Sequence, residues 1–168
     1  MDVGVDDVAL LPVAVGARAV LERLVQLYRY DFASIRGYEL NEQGLIEYPF
    51  LDRYFVDPHR EACFIRYCGK LAGFTMTSEI AAGRRSVSEF FVVRHHRRHG
   101  VGRRAAHALF RRHPGLWVLQ FDAANHEASA FWPRVVAEIA TGAVDAGSKP
   151  ATAMYPGTEL HFEVARRL

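Results

Sequence analysis

Residues 86–112 read SVSEFFVVRHHRRHGVGRRAAHALFRR, and this stretch constrains most of what the chain can become. It opens on Val87, Phe90, Phe91, Val92 and Val93, the β-branched and aromatic run that a strand buried in a sheet requires. Residues 94–99 then carry no apolar side chain, and Gly100-Val101-Gly102 opens a helix. Val101, Ala105, Ala108 and Leu109 share one face of that helix, while Arg103, Arg104, His107 and Arg111 take the others. A helix start leaves backbone N–H groups without partners and carries the positive end of the dipole. Glycine there lets an anion approach the backbone. Five arginines in 94–104 add full charges in a geometry that suits phosphate. Arg97-x-x-Gly100-x-Gly102 is therefore read as a diphosphate cradle. It is not a P-loop, because no Gly-Lys-Ser/Thr closes it, nor the dinucleotide fingerprint Gly-x-Gly-x-x-Gly.

The 168 residues, half of them hydrophobic, suffice for one domain over 1–168 with its own core. The net charge is only +2, so the basic cluster is local. That weighs against a nucleic-acid partner, although a nucleic-acid binder acting through 94–104 stays as a second alternative. No apolar run is long enough to span a membrane. The N-terminus shows no charged leader followed by a continuous apolar region. Cys63 and Cys68 are too few for a disulfide scaffold, so unpaired thiols and a cytoplasmic location are expected. His95, His96, His99 and His107 have no supporting carboxylate spacing, and no metal is expected.

In chain order, an apolar first strand is expected within 5–13 and a helix from Ala17 to about Tyr30 or Phe32. The stretch 28–55 holds five of the seven tyrosines, interleaved with Asp31, Glu39, Glu42, Glu47 and Asp52. Carboxylates and aromatic faces both favour cations. The stretch is read either as the wall of an amine-accepting pocket, with Tyr28, Asp31 and Glu42 as substrate contacts, or as a helix and loop packed by aromatics. Asn41-Glu42-Gln43-Gly44 reads as a turn. Residues 62–67 and 71–77 form a hairpin, 116–121 a strand and 126–139 a helix interrupted by Pro133. Residues 141–156 read mostly as loop, and 159–164 as a final strand.

Val92 followed by Arg97-x-x-Gly100-x-Gly102 resembles the coenzyme-binding motif of the GNAT N-acetyltransferase superfamily, a strand ending in Val and then Gln/Arg-x-x-Gly-x-Gly/Ala opening a helix. The strand 116–121 followed by Asn125-x-x-Ala128-x-x-Phe131-Trp132 is similar to the family's next strand and its Asn-x-x-Ala-x-x-Phe-Tyr helix. LYRYDF and LNEQG look like stretches of bacterial acetyltransferases whose acceptor is not assigned.

The resemblance implies an α/β (α+β) fold. Its mixed, mostly antiparallel sheet of about six to seven strands has splayed central strands and is flanked by about four helices. The final strand would lie antiparallel beside 116–121. It implies acetyl-CoA as acetyl donor and a small-molecule or peptide amine as acceptor, with a homodimer a common arrangement. Phe90, Phe91 and Val92 would line the pantetheine arm. Amides from Arg98 through His99, Gly100, Val101, Gly102 and Arg103 would hold the pyrophosphate, with Arg97 also a coenzyme-binding residue. Asn125, Ala128 and Phe131 would complete the coenzyme contacts.

Acyl transfer to an amine needs a base, a polarised carbonyl and a proton for the thiolate. Glu89 is the expected base, with Glu42, Asp31 and Asp52 in reserve, although strand alternation puts Glu89 with Phe91 rather than with Phe90 and Val92. Trp132 stands where many relatives have Tyr, so either Tyr155 or another tyrosine serves as the acid, or solvent protonates the thiolate. The same tryptophan leaves a non-catalytic acyl-CoA-binding module as the first alternative.

Overall fold

The computed structural model describes residues 7–80, 83–148 and 156–166. In chain order the elements are β1 (Val8–Pro12), α1 (Arg18–Arg36), α2 (Arg53–Val56), β2 (Arg60–Tyr67), β3 (Lys70–Ile80) and β4 (Arg84–Val92). Then come α3 (Val101–Arg112), β5 (Gly115–Asp122), α4 (His126–Ile139), β6 (Asp145–Ser148) and β7 (Gly157–Val164). The seven strands are ordered β1-β2-β3-β4-β5-β7-β6. β4 and β5 are parallel, while β1–β2, β5–β7 and β6–β7 are antiparallel. The parallel ladder pairs Arg85 with Trp117, Ser86 with Val118 and Val87 with Leu119, although β4 runs on to Val92. This is the mixed sheet with four helices that the sequence leads one to expect.

The chain groups into two compact units. In the first, residues 1–76 with 89–105, Leu21, Leu24 and Val25 of α1 pack with Leu51, Tyr54, Phe64, Phe74, Met76 and Phe91. A second cluster there joins Val8, Ile65, Ala72, Val92, Val101 and Ala105. Phe91 and Val92 enter different clusters, as alternate faces of one strand must. Gly73 makes the β3–β4 contact possible: a Cβ there would lie 1.9 Å from the Phe91 carbonyl oxygen. In the second unit, residues 77–88 with 106–168, Phe110 packs edge-on against Trp117 at 4.9 Å and Phe162 at 5.2 Å.

Three stretches differ from the sequence reading. α1 runs through Arg36, past the expected end at Tyr30 or Phe32. It stops at Gly37, which is left-handed (φ +64°) and donates to Ala33 O at 2.7 Å. Residues 145–148, expected in a loop, form the edge strand β6. Asp, Ala, Gly and Ser are poor strand formers and all four are exposed, so pairing with β7 alone makes this strand. Pro133 removes one hydrogen bond on the exposed side of α4, yet the helix continues to Ile139. No described helix is long and apolar enough to cross a membrane. Cys63 is buried and Cys68 exposed, and no disulfide joins them.

Candidate active site

β4 ends at Val92, a single 3-10 turn spans Arg94–His96, and α3 begins at Val101. Between them Arg98 and Gly100 both sit at positive φ, +65° and +72°. Left-handed backbone at a non-glycine residue costs about 1–2 kcal/mol, so the strain at Arg98 marks a loop held in place by its surroundings. A Cβ at Gly100 would meet nothing nearer than Arg104 Nε at 4.0 Å. Glycine is therefore required by its dihedral and leaves open space at the helix mouth.

Arg104 organises that mouth. Its backbone N–H donates to Gly100 O at 3.1 Å, its Nη2 to His99 O at 3.2 Å, and its guanidinium lies over the Tyr67 ring. The loop carbonyls are thereby taken, while the amides of Val101, Gly102 and Arg103 precede the first intrahelical bond, which Arg104 makes. Arg98, His99, Gly100 and Arg103 are exposed around them.

The side chain of Arg97 turns away from the mouth. Its Nε donates to Val92 O at 2.7 Å and its Nη2 to Asp31 Oδ2 at 2.5 Å. Arg94 holds the other oxygen of Asp31 through Nη2 at 2.8 Å and Nε at 3.0 Å. Side-chain exposure is 75% for Arg94 and 29% for Arg97, so the Arg97 pair is the less screened of the two. Asp31, expected on the acceptor wall, instead ties α1 to the loop.

Val93 N–H donates to Ala72 O at 2.9 Å, and the Phe91 carbonyl faces Gly73. Backbone direction alternates along a strand, so Phe90 and Val92 aim their main-chain groups away from β3.

Glu89 shares the face of Phe91, as alternation requires, and that face lies under α1. Tyr28 donates its phenol hydrogen to Glu89 Oε2, and Tyr48 donates to Oε1 at 3.1 Å. The Tyr28 ring is itself wedged between Phe32, Phe74 and Phe91. Tyr48 is placed by the segment that carries it. Asn41 Oδ1 accepts from the Gln43 and Leu45 amides, closing the expected turn. The Gln26 side chain then grips Ile46 at both main-chain groups, each at 2.9 Å. Arg29 donates to Glu47 O at 3.1 Å and stacks on Tyr38 at 3.8 Å. A cavity of about 260 Å³ opens beside this segment, lined by Glu22, Gln26, Asn41, Glu47 and Tyr48 among others.

Burial pushes the pKa of Glu89 above the ordinary carboxylate range, against the opposing pull of Tyr28, Tyr48 and the charge of Arg29. Burial and the neighbouring Glu89 charge push the Tyr48 phenol well above its usual value. Tyr48 therefore stays protonated and remains a donor.

The other sequence candidates fall elsewhere. Glu42 is exposed on the 41–44 turn. Asp52 is exposed and paired with Arg18 at 2.7 Å. Tyr155 lies outside the described residues. Trp132 is 7% exposed and packs against Phe131 and Phe110, a core residue rather than an acid. Asn125 caps α4, its Oδ1 accepting from Ala128 N at 3.0 Å, with Ala128 and Phe131 half-buried behind it. Among the described residues no group of three or more His, Cys, Asp or Glu is placed to hold a metal. Sequence reasoning saw Tyr48 only as one aromatic of a wall. Its hydrogen bond to Glu89 bridges 41 positions, which no local pattern signals.

Residues 21–136 match the family model described as the acetyltransferase (GNAT) family. No curated protein sequence matches the chain. Among the solved structures similar in fold, three are these. An acetyltransferase from Thermus thermophilus has TM-score 0.69 at 18% identity, with 94% of this chain and 97% of that one covered. A spermidine N-acetyltransferase from Vibrio cholerae, in complex with CoA and spermine, has TM-score 0.62 at 11% identity, covering 95% and 96%. An aminoglycoside acetyltransferase in complex with coenzyme A has TM-score 0.67 at 11% identity, covering 93% and 94%.

Proposed function

The chain belongs to the acetyltransferase (GNAT) family, and from that premise we propose that it transfers the acetyl group of acetyl-CoA to a primary amine by direct attack in a ternary complex. The observation that carries the reading is the pairing, within one unit, of a glycine-opened helix mouth with a half-buried carboxylate three residues upstream of Val92.

Acetyl-CoA supplies the activated acetyl group. Amides of Val101, Gly102 and Arg103, with the Arg98 guanidinium beside them, hold the pyrophosphate. The Arg97 side chain serves from behind, by fixing Val92 and the loop. Main-chain groups of Phe90 and the N–H of Val92, aimed away from β3, hold the pantetheine arm, and an amide near Val92 polarises the thioester carbonyl.

The acceptor nitrogen lies against the wall made by α1 and the 41–51 segment. Glu89 takes its proton, directly or through water. The raised pKa of Glu89 suits a base working near neutral pH. The C–N bond forms as the C–S bond breaks, and the thiolate is protonated by solvent or by Tyr155. Solved relatives in complex with spermine or coenzyme A support an amine acceptor and a coenzyme donor. Two cysteines without a disulfide suit a cytoplasmic setting. Arg94, Arg97 and Arg104 are engaged within the chain, which argues against the basic segment as a nucleic-acid surface.

The test is thiol release from acetyl-CoA across a panel of polyamines, aminoglycosides, lysine peptides and peptide N-termini. Release that depends on one amine class supports the proposal. Tight acetyl-CoA binding with no release over the whole panel would replace it with the acyl-CoA-binding module that Trp132 allows. Gly100→Arg is expected to raise the coenzyme dissociation constant at least about tenfold by calorimetry. Its side chain occupies the phosphates' space and its backbone carries about 1–2 kcal/mol of left-handed strain.

A further inference from the structure

We propose that Tyr28 and Tyr48 are positioning residues that hold the Glu89 carboxylate at two points, one phenol on each oxygen, and so govern when it accepts the acceptor's proton. The inference deepens the reading of Glu89 as base. The geometry it stands on does not depend on that reading.

Three separate pieces of chain converge on this carboxyl group. Tyr28 comes from α1, Tyr48 from the segment after the Asn41 turn, and Glu89 from β4. Two donors on two oxygens fix both the plane and the rotation of the carboxylate. Neither phenol is loosely held: Tyr28 is packed in an aromatic cluster, and Tyr48 follows the doubly gripped Ile46. The ionised form of Glu89 accepts both hydrogen bonds. Once it is protonated, the oxygen carrying the proton is a weaker acceptor and the hydrogen bond from its phenol weakens. Each phenol therefore favours the carboxylate. The other groups that bear on the pair are Arg29 on α1, whose charge also favours ionised Glu89, and Tyr54 on α2, which acts on Tyr48. Met76 on β3 completes the surroundings with a thioether 3.6 Å from the Tyr48 hydroxyl, and it does not titrate.

The chemistry is a single proton transfer. The nitrogen lone pair forms the amide bond, the sulfur leaves with the electron pair of the C–S bond, and the ammonium proton passes to Glu89. A carboxylate that swings freely would meet that proton at varied distances. One held at both oxygens presents a fixed lone pair.

The experiment compares the parent chain with Tyr48→Phe and Tyr28→Phe, which keep the ring and remove only the hydroxyl. Two readouts are taken: the titration midpoint of Glu89 by carbon NMR of carboxyl-labelled glutamate, and the low-pH limb of kcat/KM. Each variant is expected to raise the midpoint by about one pH unit, the scale of one charge-assisted hydrogen bond, and to move the limb by the same amount. KM for acetyl-CoA stays unchanged. Phenols that merely fill space would leave the midpoint where it is, and that result overturns the proposal. If the midpoint moves while the limb does not, the phenols hold Glu89 but Glu89 is not the base. The positioning inference then stands and the catalytic assignment in the proposed function falls. The paired variant Tyr28→Phe guards against a folding defect in Tyr48→Phe, with circular dichroism and Tm taken on both.

Discussion

Glu89→Gln is expected to lower kcat for amine acetylation by about 10²–10⁴-fold while leaving the acetyl-CoA dissociation constant unchanged. The amide keeps the volume of the carboxyl and can still meet the Tyr28 and Tyr48 hydroxyls, but it cannot take a proton from the acceptor. The stability of the same variant carries an independent sign. Burial raises the folded-state pKa of Glu89, so the folded chain binds its proton more tightly than the unfolded chain does. Stability contributed at this position is present below the ordinary carboxylate pKa and is lost as pH rises through the folded value. Above that folded value the ionised, half-buried Glu89 is therefore a net cost to the fold. Glu89→Gln is expected to melt no lower than the parent there, and to lose that advantage in acid. Thermal scans across pH, set beside steady-state rates, check both halves. A kcat within tenfold of the parent would remove Glu89 from the mechanism.

Gly73→Ala is the second large effect, and it falls on the fold. The added Cβ would stand 1.9 Å from Phe91 O, 2.9 Å from Phe91 C and 3.0 Å from Val92 Cα. All three are backbone atoms of β4, so no rotamer change relieves the clash and the two strands must separate. Overpacking in a core costs about 1–3 kcal/mol where side chains can yield. Here the loss is expected to exceed about 3 kcal/mol, a fall of roughly 10 °C in Tm for a chain of this size. Coenzyme affinity should fall with it, because the displaced strand end carries Phe91 and Val92. Gly16→Ala is the control: nothing lies within 4 Å of its Cβ position, and Tm is expected to stay put. Equal melting of the two variants would mean that β3 and β4 tolerate the methyl.

The helix mouth was legible because its information is local. Gly100, the basic run and the 3.6-residue pattern of α3 lie within a few turns of one another, and backbone physics reads them directly. The same holds for the span of α4 and for the β2–β3 hairpin. Much of the candidate site was not legible, for one physical reason. Glu89 meets Tyr28 across 61 positions, and Arg97 meets Asp31 across 66. Such pairs are made by topology, and no periodicity announces them. Asp31 shows the consequence: on the sequence it is an acidic residue in an aromatic stretch, in the fold it is the counter-ion of two arginines. Strand β6 was hidden differently, since its residues have no strand preference of their own. Gly73 is signalled only faintly, as a glycine inside an otherwise β-prone run, which marks close backbone approach.

The hold of Gln26 on Ile46 bears on how chains of this kind diversify. Both hydrogen bonds are made to main-chain atoms, so the anchor does not care which side chains flank it. Mutation can rewrite the exposed side chains of Glu42, Gln43, Leu45 and Phe50 without loosening the segment from its helix, provided the left-handed Gly44 is kept. A lineage could thus explore new acceptors by drift in a few surface residues, while the scaffold beneath them and the chemistry of transfer are inherited intact.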